Sequence, residues 1–276
     1  MKKLLQRLSK FLPLLGVVLI GVFVTVTPAN ANHSWNGYHW ARTNNPFSLK
    51  LGDNVSVLWD DMLVTASNDW FKSTVLDTQI VAGGTSPRRC RPTLGRVEVC
   101  SASYGNTGWL GLAQIWITGG VHIVQGVVKN NDFYFGDSSY RYNNTAEMQH
   151  VICQEIGHTL GLDHQDTSGI SLNTCMDYYH NTSALDTQST HPDQHDYDEL
   201  VTIYEHLDTS TTVATSASSG PSHGNAGDHV PAGVDEHYLP PWASPSAGDV
   251  YEVDLDNGLR VVTHVIWVRS GPGARP

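Results

Sequence analysis

One eleven-residue stretch constrains this chain more than any other: Gln154-Glu155-Ile156-Gly157-His158-Thr159-Leu160-Gly161-Leu162-Asp163-His164. Residues four apart on an α-helix share a face one turn apart, so Gln154 and His158 point to the same side. Met148, Ile152, Ile156 and Leu160 also step by four. Their stripe lies roughly 200° round the axis from that side, as in a helix that packs one face on a core and turns the other to a cleft. Asn144 followed by Glu147 has the spacing of a capping box at the helix start. Gly161 tolerates the positive φ that ends a helix, and the turn it makes returns His164 towards His158. A helix, a glycine turn and two histidines beside a carboxylate are the expectation.

The spacing Glu155-x-x-His158-x-x-Gly161-x-x-His164 is that of the zinc-protease motif His-Glu-x-x-His-x-x-Gly-x-x-His, with Gln154 at the first ligand position. On these residues the segment resembles the metzincin clan of zinc endopeptidases, most of all its matrixin-type members and their bacterial relatives. Cys175-Met176-Asp177-Tyr178 follows His164 where such proteins carry a Met-turn, and Asp193 to Leu207 is similar to their closing helix. The resemblance implies an α+β fold: a mixed twisted sheet with helices, the active-site helix, the Met-turn and a C-terminal helix. It further implies zinc held by Gln154, His158 and His164, Glu155 as general base towards a zinc-activated water, and Met176 beneath the metal. Tyr178 would then be a fifth ligand or a transition-state stabiliser. Two rivals stand beside this reading. One is a catalytically silent binding protein that keeps the cleft; the other is an envelope-associated module acting through its tail.

Gln154 decides between them. Zinc prefers imidazole nitrogen, thiolate and carboxylate oxygen, and a neutral amide oxygen is a weaker donor. It can still complete a Gln/His/His site with a position open for water. His150 cannot replace it, because it lies about 12 Å along the helix axis from His158 at 1.5 Å per residue. The alternative is a degenerate site that has lost its metal.

The compartment is read from the other end of the chain. Lys2, Lys3, Arg7 and Lys10 precede an apolar run from Phe11 to Val26, and Ala29-Asn30-Ala31 supplies a small-x-small cleavage site. A secretory signal over residues 1–31 is expected, with no stable membrane insertion after cleavage. In an exported chain, Cys90, Cys100, Cys153 and Cys175 suggest two disulfides with three connectivities, of which Cys90–Cys100 and Cys153–Cys175 is the expected one. The formal charge is −11, and the leader holds four of the sixteen Lys and Arg. Such an acidic chain excludes nucleic acid and anionic membrane as partners and suits protein or peptide substrates. Asp132, Asp137, Asp163 and Asp166 could supply calcium ligands, although they match no EF-hand loop.

Elsewhere Met62, Leu63, Ala66, Trp70 and Phe71 recur at helical spacing over about residues 59–72. Phe47–Leu51, Gln79–Ala82, Arg96–Ser101 and Ala113–Thr118 read as strands. The expected domain is 32–208, followed by a Ser/Thr/Gly/Pro-rich linker over 209–248. Asp256-Asn257-Gly258 between two β-rich runs then marks a β-hairpin tail over 249–276. His33 and His39 fall in an aromatic N-terminal arm; His180, His191 and His195 read as solvated.

Overall fold

The computed structural model describes residues 33–214, 239–255 and 258–269. The expected leader, most of the expected linker, Asp256, Asn257 and the last seven residues lie outside them. The chain order is β1 (His39–Trp40), β2 (Phe47–Asn54), α1 (Asp60–Trp70), β3 (Leu76–Ala82), β4 (Val97–Ala102), β5 (Trp109–Thr118) and β6 (His122–Asn131). Then follow α2 (Asp132–Phe135), α3 (Thr145–Thr159), α4 (Gln194–Ile203), β7 (Val250–Asp254) and β8 (Arg260–Trp267). This is an α+β fold built on one mixed sheet with the order β3-β2-β4-β6-β5-β8-β7, with β1 beside β6. β2 is parallel to β3 and β4, and β4 to β6; β5 runs antiparallel to both β6 and β8.

Helices α1 and α3 cover one face of the sheet. Trp59, Leu63 and Trp70 of the α1 region meet Met148, Ile152 and Ile156 of α3 in the main core, with Leu49, Val99, Ile115 and Val128 from the strands. The opposite face is covered by the loop that holds Cys90, which packs with Cys100, Trp116, Val127 and Val261. Trp116 is therefore buried, and β5 is closed on both faces rather than on the single face its Ile115/Ile117 alternation implies. The two expected disulfide pairs are present, with Cα–Cα distances of 5.9 Å for Cys90–Cys100 and 6.0 Å for Cys153–Cys175.

The start of α3 corrects one expectation. Asn144 caps the helix, its side chain accepting from the Glu147 amide at 3.0 Å. Glu147 does not reciprocate: its carboxylate takes the Asn181 amide and the His180 ring instead. His180 is thus a buried partner of Glu147 and not a solvated residue. The two-way capping box belongs to α4, between Asp193 and Asp196. At its far end α3 stops as expected, with Gly161 at φ +100°, where a Cβ would run into the Tyr38 carbonyl. The last carbonyls of α3 find partners in Trp40 Nε1, 2.9 Å from Thr159 O, and the Tyr204 hydroxyl, 2.9 Å from Leu160 O.

The tail is not a separate appendage. β7 and β8 form the expected hairpin and extend the sheet beyond β5, eight residues of β5 being in register with β8. Covered by α1, the sheet including β8, and the Cys175–Asp177 loop, α3 is buried on every side from Ala146 to Thr159, including the side expected to face an open cleft.

Candidate metal centre

The Gly161 turn brings His164 back to His158, and β8 adds a third imidazole, His264, from the far end of the chain. One nitrogen of each lies within 4.8 Å of the others, and all three residues are buried. The converging atoms are Nε2 of His158, Nε2 of His164 and Nδ1 of His264, and none has a hydrogen-bond partner. Their opposite nitrogens face acceptors. His158 Nδ1 lies 2.8 Å from the Leu162 carbonyl, His264 Nε2 is 3.2 Å from Asp163 Oδ1, and His164 Nδ1 is 3.4 Å from Asp249 Oδ2. A carbonyl only accepts, so His158 carries its proton on Nδ1 and keeps the Nε2 lone pair free. Asp163 selects the reverse tautomer in His264. Outer partners of this kind fix the ring orientation of metal-ligating histidines.

Burial, with the other histidines adding to it, holds His158 well below the ordinary imidazole range and lowers His264 to about 4. Both rings are therefore neutral, the state in which imidazole ligates a metal. They stack at 3.6 Å with 6° between their planes, under the edge of Trp35. Three imidazoles, each with one converging nitrogen free of hydrogen bonds and its far side facing an acceptor, fit a zinc ion by donor chemistry.

Glu155 is wholly buried, and neither carboxylate oxygen has a hydrogen-bond partner of good geometry. Burial pushes its pKa well above the usual carboxylate range, opposed by the nearby Ile266 backbone amide. The Tyr178 hydroxyl accepts from the Trp267 amide at 2.9 Å, and its ring stands edge-on to His164 at 5.0 Å. Met176 is buried with its thioether against Gly157, one residue before His158. Gln154 is tied to the same loop: its Nε2 donates to the Cys175 carbonyl at 2.8 Å and the Asp177 carbonyl at 2.7 Å. Two carbonyl acceptors require the amide nitrogen on that side, which leaves Oε1 on the other with no partner. The Cys153–Cys175 bridge ties the helix to the loop next to these contacts.

The turn thus brings His158 and His164 together, with Gln154 and Glu155 on the same buried helix and Met176 and Tyr178 in the loop packed against it. His264 was missed. Its only sequence signal is its inward register in an alternating strand, shared with Val262 and Ile266.

Among the described residues two further triads converge, His33/His195/Asp196 and His39/His122/Asp208. In the second, Asp208 already pairs with Arg42 at 2.9 Å. Neither includes a residue of α3. The calcium expectation finds no support here: Asp132 accepts from Trp59 Nε1, Asp163 from His264, Asp137 from the Ser139 amide and Asp166 from the Ser168 amide. The four carboxylates form none of the metal-compatible groups among the described residues.

No family model matches the chain, and no curated protein matches it.

Proposed function

We propose that this protein is a secreted, zinc-dependent metalloendopeptidase of metzincin, matrixin-like type. The observation that carries the reading is the set of three converging imidazole nitrogens without hydrogen-bond partners, on His158, His164 and His264, the first borne on the same buried helix as Glu155. His158, His164 and His264 would hold the ion, and Gln154 Oε1 is a weaker oxygen donor at hand. Zinc, when bound, supplies Lewis acidity towards a peptide carbonyl and an attacking water. Glu155 takes the proton of that water at its carboxylate and delivers it to the leaving amine. Its burial favours this, because a raised pKa makes the carboxylate a stronger base towards that water. Tyr178 offers a hydroxyl to a carbonyl oxygen that gains charge. Protein or peptide chains are the substrates. The leader and the two disulfides support export.

The test is metal content and casein cleavage across four full-length proteins: wild type, Gln154→His, Glu155→Gln and His158→Ala. The expected wild type carries one zinc, Glu155→Gln keeps the metal without cleaving casein, and His158→Ala loses both. A well-folded wild type and Gln154→His that both purify without zinc would overturn the reading. So would casein cleavage that survives Glu155→Gln.

A further inference from the structure

β8 does more than deliver His264. Over three successive contacts its extended backbone follows the functional groups one after another. His264 joins the two helix-borne histidines, the Ile266 amide faces the Glu155 carboxylate, and the Trp267 amide donates to the Tyr178 hydroxyl at 2.9 Å. Beyond the strand, the Arg269 guanidinium donates to the Tyr178 carbonyl at 2.7 Å and lies over the Tyr178 ring. Period-two alternation sends Val262 and Ile266 into the main core with His264 beside them, while Val265 and Trp267 pack on the opposite face.

β5 is fully paired with β6 on one side, and without β8 its other side would be a row of unpaired backbone donors and acceptors. An edge of that kind, running past a carboxylate, a tyrosine hydroxyl and a metal-binding pair, takes extended peptide by strand addition. The occupant in place is itself an extended peptide. It is joined to the body through a stretch whose Ser/Thr/Gly/Pro composition is that of a tether.

We propose that the free edge of β5, with Glu155, Tyr178, His158 and His164, is a binding site for an extended peptide antiparallel to β5, and that the chain's own strand β8 is its resident occupant. His264 sits where a bound peptide would otherwise meet the metal, so the folded protein is held at low activity by its own tail. With the hairpin displaced, His158 and His164 remain, and Gln154 Oε1 is the donor left to complete the set. That arrangement gives the substituted motif position a role: it serves the open state, while His264 serves the closed one. This inference rests on the metallopeptidase reading for the chemistry, but its peptide-binding content can be measured without any cleavage.

The experiment uses full-length, zinc-loaded protein and a fluorescein-labelled peptide with the sequence of residues 258–269 as probe. A tethered strand outcompetes a soluble copy through its high effective concentration, so wild type should bind the probe weakly. His264→Ala/Ile266→Pro removes the tail's imidazole and the backbone amide that faces Glu155. It should bind the probe at least tenfold more tightly and expose the β5 amides to faster hydrogen exchange. Arg260→Glu is the milder companion. It repels Asp254 and Glu252, the partners of an exposed arginine, and leaves the core intact; it should shift affinity in the same direction. A folded variant with both disulfides intact and no gain in probe affinity overturns the proposal, and if the proline variant does not fold, Arg260→Glu alone decides. Wild-type casein cleavage as fast as that of the variants overturns it too, because the cleft would already be open. Variants that gain probe binding but never cleave casein refute the peptidase reading and leave the resident-strand inference standing.

Discussion

Gln154 gives both amide hydrogens to carbonyls of the Met176 loop, so substituting it changes two things at once. Gln154→His should tighten zinc in a competition titration, since imidazole is the better donor. The same variant should lose on the order of 2 kcal/mol in denaturant unfolding, because two buried carbonyls are left without their donors. A variant unchanged in both measurements would refute the tie. His150 carries a separate prediction. It is fully buried, and burial lowers it to about 4 from an ordinary 6.5, against the opposing pull of the Glu147 carboxylate. A depressed imidazole pKa means that the unfolded chain takes up the proton first. The His150 contribution is therefore intact above pH 6.5 and is lost as pH falls towards 4. At pH 5 the loss should be roughly 2 kcal/mol. His150→Asn keeps a donor for the Ser189 carbonyl, which His150 Nδ1 faces at 2.6 Å. Its melting temperature should fall less than that of wild type between pH 7 and pH 5, and parallel profiles would exclude the assignment. At this scale the sequence was informative wherever ligands lie within one helical turn and its glycine stop. His158 and His164 meet because a helix end followed by a glycine turn at that spacing brings them together. His264 lies 101 residues from its partner Asp163, and nothing local announces it.

Elements were legible in proportion to their periodicity. α1 and α3 carry apolar residues at helical spacing and form close to the expected limits, and the Asp-Asn-Gly turn correctly marked β7 and β8 as a hairpin. Nothing in the sequence pattern singled out β6. Its run His-Ile-Val-Gln-Gly-Val-Val-Lys-Asn-Asn lacks clean alternation because the strand is buried on both faces between β4 and β5. The capping box was misplaced for a related reason. The Asn144/Glu147 spacing permits one, but Glu147 is drawn away by His180 and Asn181, which fold back from a loop more than thirty residues on. The hairpin also yields an expected outcome in proteolysis. Residues 209–248 have a linker composition, yet Thr212 and Ala214 are hydrogen-bonded to Ala41 and Gly95. The first cut should therefore fall beyond Ala214. An isolated hairpin is marginally stable, but this one is paired along β5, so nicked protein should elute as a single species in native gel filtration. It should separate into two fragments only in denaturant. Immediate loss of the tail fragment on nicking would show that β8 contributes little hold.

At the scale of the whole molecule, the sheet decides what the motif can do. Along the chain the helix, the glycine turn and the methionine loop form one local unit, stapled by Cys153–Cys175. A disulfide over 22 residues stabilises such a unit by about 3 kcal/mol in the chain-entropy model. That unit, the α+β class, the two disulfide pairs and the terminal hairpin were set by the sequence alone, because each depends on short-range spacing, composition or a closed loop. The sequence could not say where the hairpin docks. Docking is settled by the open edge of β5, by the apolar residues that β8 buries on both its faces, and by the pairing of the buried His264 with Asp163. Those contacts span more than a hundred residues of chain and exist only once the sheet has formed. Local spacing therefore determined which groups could hold a metal, and tertiary structure decided that a strand from the far end of the chain completes the site and covers it.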